Sequence, residues 1–376
     1  MRTEQRFFEP TTGWRAGCGD LAGERAHFVL VFGGRPRLKE PRLLAALREA
    51  YPGARLVFAS TAGEIADTVV TEEQVTATAV SFKSTRASVA AVSVRSQFES
   101  HSAGRALADR LRGNDLVHVF VLSDGQLVNG TELAAGLNAG LGRSVTISGG
   151  LAGDGERFEE TVIGLDETPT AGRIVAIGFY GSALRVGLGS CGGWSPTGPE
   201  QIATSSEGNL LFRLNDQPAL ELYSSYLGDK AKGLPATALC HPFYVVPPDG
   251  SPAVVRTILG VEPSTQCLVF GGDIPTGSRI RFMHASEDDL IAGAGHAAAS
   301  ARLQRSADLA ICVSCVGRRL VLGRRTNEEI AAVRAKLGPG PLLTGFYSYG
   351  ELAPAGLDSA CQLHNQTMTI TTFAEG

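Results

Sequence analysis

One supersecondary unit recurs along this chain, and a segment repeated in order must fold into equivalent structures that pack on one another. In the first copy His27–Phe32 reads as a buried strand, Arg42–Tyr51 as an amphipathic helix stopped by Pro52-Gly53, and Arg55–Ser60 as a second strand. Gly63-Glu64-Ile65 comes next, and Val75–Phe82 reads as a third strand. The last copy keeps the order: a strand after Asp308, a helix over Asn327–Leu337, a stop at Gly338–Pro341, a strand from Leu342, Gly350-Glu351-Leu352, and a closing strand at Gln366–Phe373. Its helix is acidic near the start and basic near the end, which suits the helix dipole. A middle copy runs through Asp115–Leu122, Glu132–Leu141 and Ser144–Ser148, with Gly153-Asp154 where the others carry Gly-Glu. It closes with Thr161–Gly164 and Gly172–Phe179.

At 376 residues the chain is long enough for two domains. Cys191–Pro199, rich in glycine and proline, is the expected boundary region; Pro247–Pro252 reads as a turn between two strands, and Gln217–Leu227 as a further helix. The expected fold class is α/β, with two lobes of pseudo-repeated strand-helix-strand-strand units, mixed sheets, and strand-end loops around a shared cleft. Lys and Arg number 34 against 38 Asp and Glu, without a block of like charge, which argues against nucleic acid or an anionic membrane as partner. Apolar stretches such as Phe28–Phe32 fall far below the ~18 residues of a membrane span, and the first ten residues hold no continuous apolar run, so the expected location is cytoplasmic. Seven scattered cysteines do not form a secreted disulfide framework, and reduced thiols are expected. The 46 glycines are close to twice the usual ~7% share, a composition suited to a ligand-lining scaffold.

Glu64 and Glu351 come after strands, where open α/β sheets place ligands, so the two carboxylates either face one cleft or cap backbone N–H groups and fix their turns. The glycine-rich run Ser148–Gly155, with Gly149, Gly150 and Asp154, lacks a helix opening directly behind it, and close packing explains its glycines better than a phosphate cradle. Cys312 and Cys315 lie three apart in one strand, whose period of two sends them to opposite faces; buried free thiols are expected, and no metal. Cys191-Gly192-Gly193-Trp194 reads as a hinge with a packed tryptophan, and as a thiol nucleophile only in the alternative. His364-Asn365-Gln366-Thr367 is a hydrogen-bonding run before a strand, able to line a polar pocket. Tyr347 and Tyr349, two apart, are expected on one face.

These segments together resemble FIST-domain proteins, which carry a FIST N region and then a FIST C region. The resemblance rests on TAGEI at Thr61–Ile65, ISGGLAGDGERFEETVIG at Ile147–Gly164, VAIGFYG at Val175–Gly181, SCVGRR at Ser314–Arg319, and GFYSYGEL with HNQTMTI near the C-terminus. It implies a FIST N-like domain over 24–215 and a FIST C-like domain over 216–376. It also implies a small-ligand-binding sensory role in bacterial signal transduction, with an amino acid or similar polar molecule as ligand, no catalytic residues and no obligate cofactor. Ligand contacts are then expected from Glu64, Gly149, Gly150, Asp154, Tyr347, Glu351, His364 and Asn365. A haem-based gas sensor and an enzyme using the paired carboxylates or Cys191 are the alternatives. No kinase, cyclase or receiver sequence accompanies the repeats, so a separate signalling protein such as a kinase or cyclase is the expected partner.

Overall fold

The computed structural model describes residues 1–9, 11–356 and 359–376. The first unit comprises β1 (Arg2–Glu9), β2 (Gly13–Gly19), β3 (Phe28–Gly33), α1 (Arg35–Leu38), α2 (Pro41–Ala50), β4 (Arg55–Ser60), β5 (Glu64–Ala66), β6 (Val69–Thr71) and β7 (Val75–Ser81). The second comprises β8 (Arg86–Ser93), α3 (Ser100–Leu111), β9 (Leu116–Ser123), α4 (Gly130–Leu141), β10 (Thr146–Leu151), β11 (Ile163–Leu165) and β12 (Arg173–Tyr180). After β13 (Leu184–Cys191) the chain leaves the repeats for a smaller lobe. That lobe contains β14 (Ser195–Glu207), β15 (Leu210–Leu214), β16 (Gln217–Pro218), α5 (Ala219–Leu227), β17 (Phe243–Val246), β18 (Val254–Arg256), β19 (Ile258–Glu262), β20 (Cys267–Phe270) and β21 (Arg279–His284). It returns through α6 (Glu287–Ser300) to the third unit: β22 (Leu309–Cys315), α7 (Val316–Leu322), α8 (Thr326–Leu337), β23 (Leu342–Ser348), β24 (Gly350–Pro354), β25 (Cys361–His364) and β26 (Met368–Glu375).

Local chemistry sets these boundaries. The Asn129 side chain accepts from the Thr131 and Glu132 N–H groups to start α4, and Gly142, at φ 77°, ends it. Ser286 and Asp289 form a capping box on α6. The expected fold class holds: α/β, mixed sheets, repeated units and two lobes. The turn expected at Pro247–Pro252 joins the antiparallel pair β17 and β18.

Each unit keeps a parallel pair and an antiparallel closing strand, in the orders β4-β3-β7, β10-β9-β12 and β23-β22-β26. Each also gives a segment beyond its second parallel strand to a neighbouring sheet. The β5-β6 hairpin of the first unit extends the sheet of the third by pairing β5 with β23; β24 and β25 of the third extend the second by pairing β24 with β10; β11 of the second extends the first by pairing with β4. Each of these three sheets is completed by a neighbour, so the three units close a ring. The inner faces meet in one core, where Phe32 packs on Phe346 at 4.8 Å, Phe28 on Phe179 at 5.9 Å and Phe179 on Phe373 at 5.1 Å between ring centroids. Each pair joins two different units, and each buried ring contributes roughly 1.5–3 kcal/mol. The outer faces are covered by α2, by α3 with α4, and by α6 with α8. Strands buried on both faces explain continuous apolar runs such as Phe28–Phe32. No described helix is long and apolar enough to cross a membrane.

Tyr347 and Tyr349 do not share a face as expected. The strand breaks at Tyr349, so Tyr347 donates to Glu329 under α8 while Tyr349 turns to the Gly155 carbonyl and stacks on Phe158 at 4.3 Å.

Candidate functional site

The crossing segments bring the repeat carboxylates to equivalent places. Glu64 lies in β5 opposite Phe346, Glu351 in β24 opposite Gly150, and Asp154 just past β10, where Gly153 and Gly155 donate to the Ser60 and Thr61 carbonyls. All three are buried. Thr61 Oγ1 donates to Glu64 Oε1 at 2.6 Å, while Thr71 Oγ1 and the Gln74 N–H reach Oε2 at 3.1 and 3.2 Å. Glu351 repeats the arrangement, with Ser348 Oγ at 2.6 Å on Oε1 and the Thr367 hydroxyl and N–H at 2.9 and 3.1 Å on Oε2. Burial outweighs these donors and raises Glu64 to about 7 and Glu351 to about 8. Asp154 instead meets guanidinium groups, Arg157 at 2.8 and 3.0 Å and Arg35 at 3.2 Å.

Beside Glu64 and Glu351 lies a charged cluster that the repeat pattern does not announce. Arg318 and Glu329, both fully buried, pair through Arg318 Nε at 2.8 Å, and Ser314 Oγ donates to Glu329 at 3.2 Å. Tyr347 also donates to Glu329, and burial together with that carboxylate holds its phenol well above the ordinary range. Arg318 further donates to the Leu290 carbonyl at 2.7 Å and to that of Gly192, tying α6 and the entry to the small lobe onto the third unit. Arg319 lies over the Tyr347 ring at 5.9 Å, donates to the Ala62 carbonyl and pairs with Glu72. The adjacent arginines of SCVGRR are the sequence signal for this cluster.

Gly149 and Gly150 sit inside β10, where a Cβ on Gly149 would overlap the Val121 carbonyl and one on Gly150 would strike Val313. Close backbone approach therefore accounts for both. His364 pairs with Glu351 across β25 and β24; its Nε2 bonds the Ala353 carbonyl at 3.0 Å, and burial lowers it to about 4, so it is neutral at physiological pH. Asn365 bonds the Tyr349 carbonyl and the Thr257 N–H at 3.5 and 3.4 Å, and Gln366 Nε2 reaches the Leu239 carbonyl at 2.7 Å, so this run fastens the small lobe to the ring. Cys312 and Cys315 are buried free thiols, and no metal-binding group of three or more candidate side chains occurs among the described residues.

A cavity of about 1050 Å³ opens elsewhere, between the second and third units. Its walls are the C-terminal end of α4 and the start of β10, the strand β13, the end of α6, and residues 353–356 and 359–361 at the ends of β24 and β25. None of the eight sequence-derived site residues lines it. The described lining carries two arginines, Arg143 and Arg302, and no carboxylate. Neither arginine forms an ion pair with a described residue. The described lining also holds no histidine, and His364 is committed to Ala353, so the imidazoles do not fit haem at this place.

Residues 27–217 match the FIST N domain family and residues 219–354 the FIST C domain family. An uncharacterised protein of Mycobacterium tuberculosis, found in strains CDC 1551 and H37Rv, is 25% identical over 247 residues, covering 61% of this chain. The chain spans about three fifths of the length of those curated relatives, at 61%. Among solved structures, a chorismatase aligns at TM-score 0.35 and 11% identity over 99% of this chain and 98% of its own. A cyanuric acid hydrolase aligns at TM-score 0.34 and 10% identity over the whole of both chains. At those TM-scores neither likeness carries an argument about activity.

Proposed function

Because the chain belongs to the FIST family and carries both its N and C domains, which are sensory, we propose that it is a sensor for a small polar molecule bearing a carboxylate, bound between the second and third units. The observation that carries this reading is the 1050 Å³ cavity with two arginines, Arg143 and Arg302, in its lining. An arginine fork recognises a carboxylate by paired charge-assisted hydrogen bonds. The cavity is walled by units that also exchange β24 and β25, so a ligand there bears on the joint between them. Its binding energy is available to shift the joint between two arrangements, and a separate signalling protein, such as a kinase or cyclase, reads the outcome. Reading the chain as an enzyme of paired carboxylates is less well supported, because both oxygens of Glu64 and of Glu351 are occupied by the chain's own donors. The test is a thermal-shift screen of free amino acids and short peptides as free acids, and then calorimetry. A ligand at a hundred times its Kd stabilises by about 2.7 kcal/mol, and Arg143→Ala with Arg302→Ala should remove that gain. Stabilisation unchanged in the double variant would place the ligand elsewhere.

A further inference from the structure

The strand beside the closing strand of each unit has an outer edge, and the three equivalent edges meet different ends. In the first unit the edge of β1 is taken by β2, antiparallel from Glu4↔Gly19 to Glu9↔Gly13. In the second, β8 ends its sheet, and Arg110 caps one carbonyl of it, that of Ala91. In the third, β13 also ends its sheet, no described strand pairs with its outer edge, and Val186–Ser190 line the large cavity. An unpaired edge in a groove is a template for one more strand.

Resting on the sensor reading above, we propose that the ligand is an extended peptide with a free C-terminal carboxylate, which pairs along β13 as an added strand and sets that carboxylate between Arg143 and Arg302. Both arginines stand at the Val186 end. A Cβ on Gly187 would overlap the carbonyl of Ala301, the residue before Arg302. Arg143 lies three residues before Thr146, which pairs with His118, whose ring packs at 5.6 Å on Phe373, the partner of Val186. A strand ending there runs from Ser190 toward Val186, antiparallel to β13, as β2 is to β1. Gly187 and Gly189 face the α6 backbone, which closes one side of β13 and leaves Val186, Leu188 and Ser190 on the other. Pairing with these five residues spans about 16 Å. The cavity volume of 1050 Å³ stands at the upper limit of the ~300–1,000 Å³ of ordinary ligand pockets and exceeds what one amino acid fills. Main-chain hydrogen bonds would supply affinity and alternate side chains selectivity.

The experiment exposes the immobilised full chain to a randomised pentapeptide pool, prepared as free acids and as C-terminal amides, with retained peptides identified by mass spectrometry. Free acids should be enriched over amides by roughly tenfold or more, the gain expected of a charge-assisted pair. The enrichment should vanish in the Arg143→Ala/Arg302→Ala variant, whose exposed side chains leave the fold intact. The best sequence, resynthesised with alternate backbone N-methyl groups, should lose binding in the register that blocks pairing. Equal retention of acids and amides, or full binding by N-methylated peptides in both registers, overturns the proposal. If single amino acids bind in an arginine-dependent way and no peptide is retained, the peptide fails while the sensor reading stands; if neither binds, both fail.

Discussion

Raising the pH from 6.5 to 8.5 should destabilise this protein through Glu64 and Glu351, and the isosteric amides should remove the loss. The sign comes from linkage. Both carboxyls have folded-state values, about 7 and about 8, above their ordinary 4.5, so the folded chain holds protons that the unfolded chain has released. Stability then falls as pH rises between the two values and levels off above the folded one. Between pH 6.5 and 8.5 this amounts to about 1 kcal/mol for Glu64 and about 2 kcal/mol for Glu351. His118 and His364, lowered by burial to about 3 and about 4, are neutral in the folded chain across this window, and each adds back about 0.4 kcal/mol as the unfolded chain releases its remaining imidazolium proton between pH 6.5 and 8.5, in wild type and variant alike. They act in the other direction under acid, where stability falls as pH drops from 6.5, so the optimum lies between about pH 4.5 and 6.5. Gln fits the Glu351 site, because its oxygen can accept from Thr367 while its amide donates to Ser348 Oγ, whose hydroxyl already reaches the Ser314 carbonyl at 3.2 Å.

The assay is the melting temperature of wild type and of the Glu64→Gln/Glu351→Gln variant at pH 6.5 and 8.5. With an unfolding entropy of about 2.1 cal/mol/K per residue, about 3 kcal/mol corresponds to a drop about 4 °C larger in wild type than in the double variant. Groups common to both proteins cancel in the difference. An equal drop in the two would refute the claim that these carboxyls are protonated when folded.

Packing and charge lead to three more expected outcomes. Arg318→Met leaves Glu329 buried without its counter-ion and should cost about 3–5 kcal/mol by urea denaturation, with less lost in Arg318→Met/Glu329→Leu, since removing both charges abolishes the unpaired one. Gly149→Ala, at φ 147° against the Val121 carbonyl, should abolish soluble expression, whereas Gly142→Ala, with open space around it but φ 77° and ψ 177°, should cost about 1–3 kcal/mol of backbone strain and still fold. A thiol reagent should modify exposed Cys18 rapidly in the native protein and reach Cys267, Cys312, Cys315 and Cys361 only on unfolding, and alanine at Cys312 and Cys315 should leave metal content unchanged.

The repeat is readable because its signals are local: α2, α4 and α8 carry their stops in Pro52-Gly53, Gly142 and Gly338, and the closing strands carry their alternation. The exchange of β5, β24 and β11 between units is invisible at that level, since a crossing segment reads the same whether it returns to its own sheet or joins the next. The flanking strand β8 and the helix α6 also escape pattern reading. Arg86–Ser93 is mostly half-buried small residues, and Glu287–Ser300 is rich in Ala and Gly because its backbone lies against Gly187, Gly189 and Gly193. The carboxylates of the crossings can be found by self-comparison, and their hydroxyl partners lie close by in Thr61 and Ser348. The cavity cannot be found that way, because Arg143, β13 and Arg302 are distant in sequence and none of them repeats. That contrast has a physical basis. Self-comparison selects the features that all three units share. Equivalence between the units fails at the edge of β13, which no described strand pairs as β2 pairs β1, and that edge lines the large cavity.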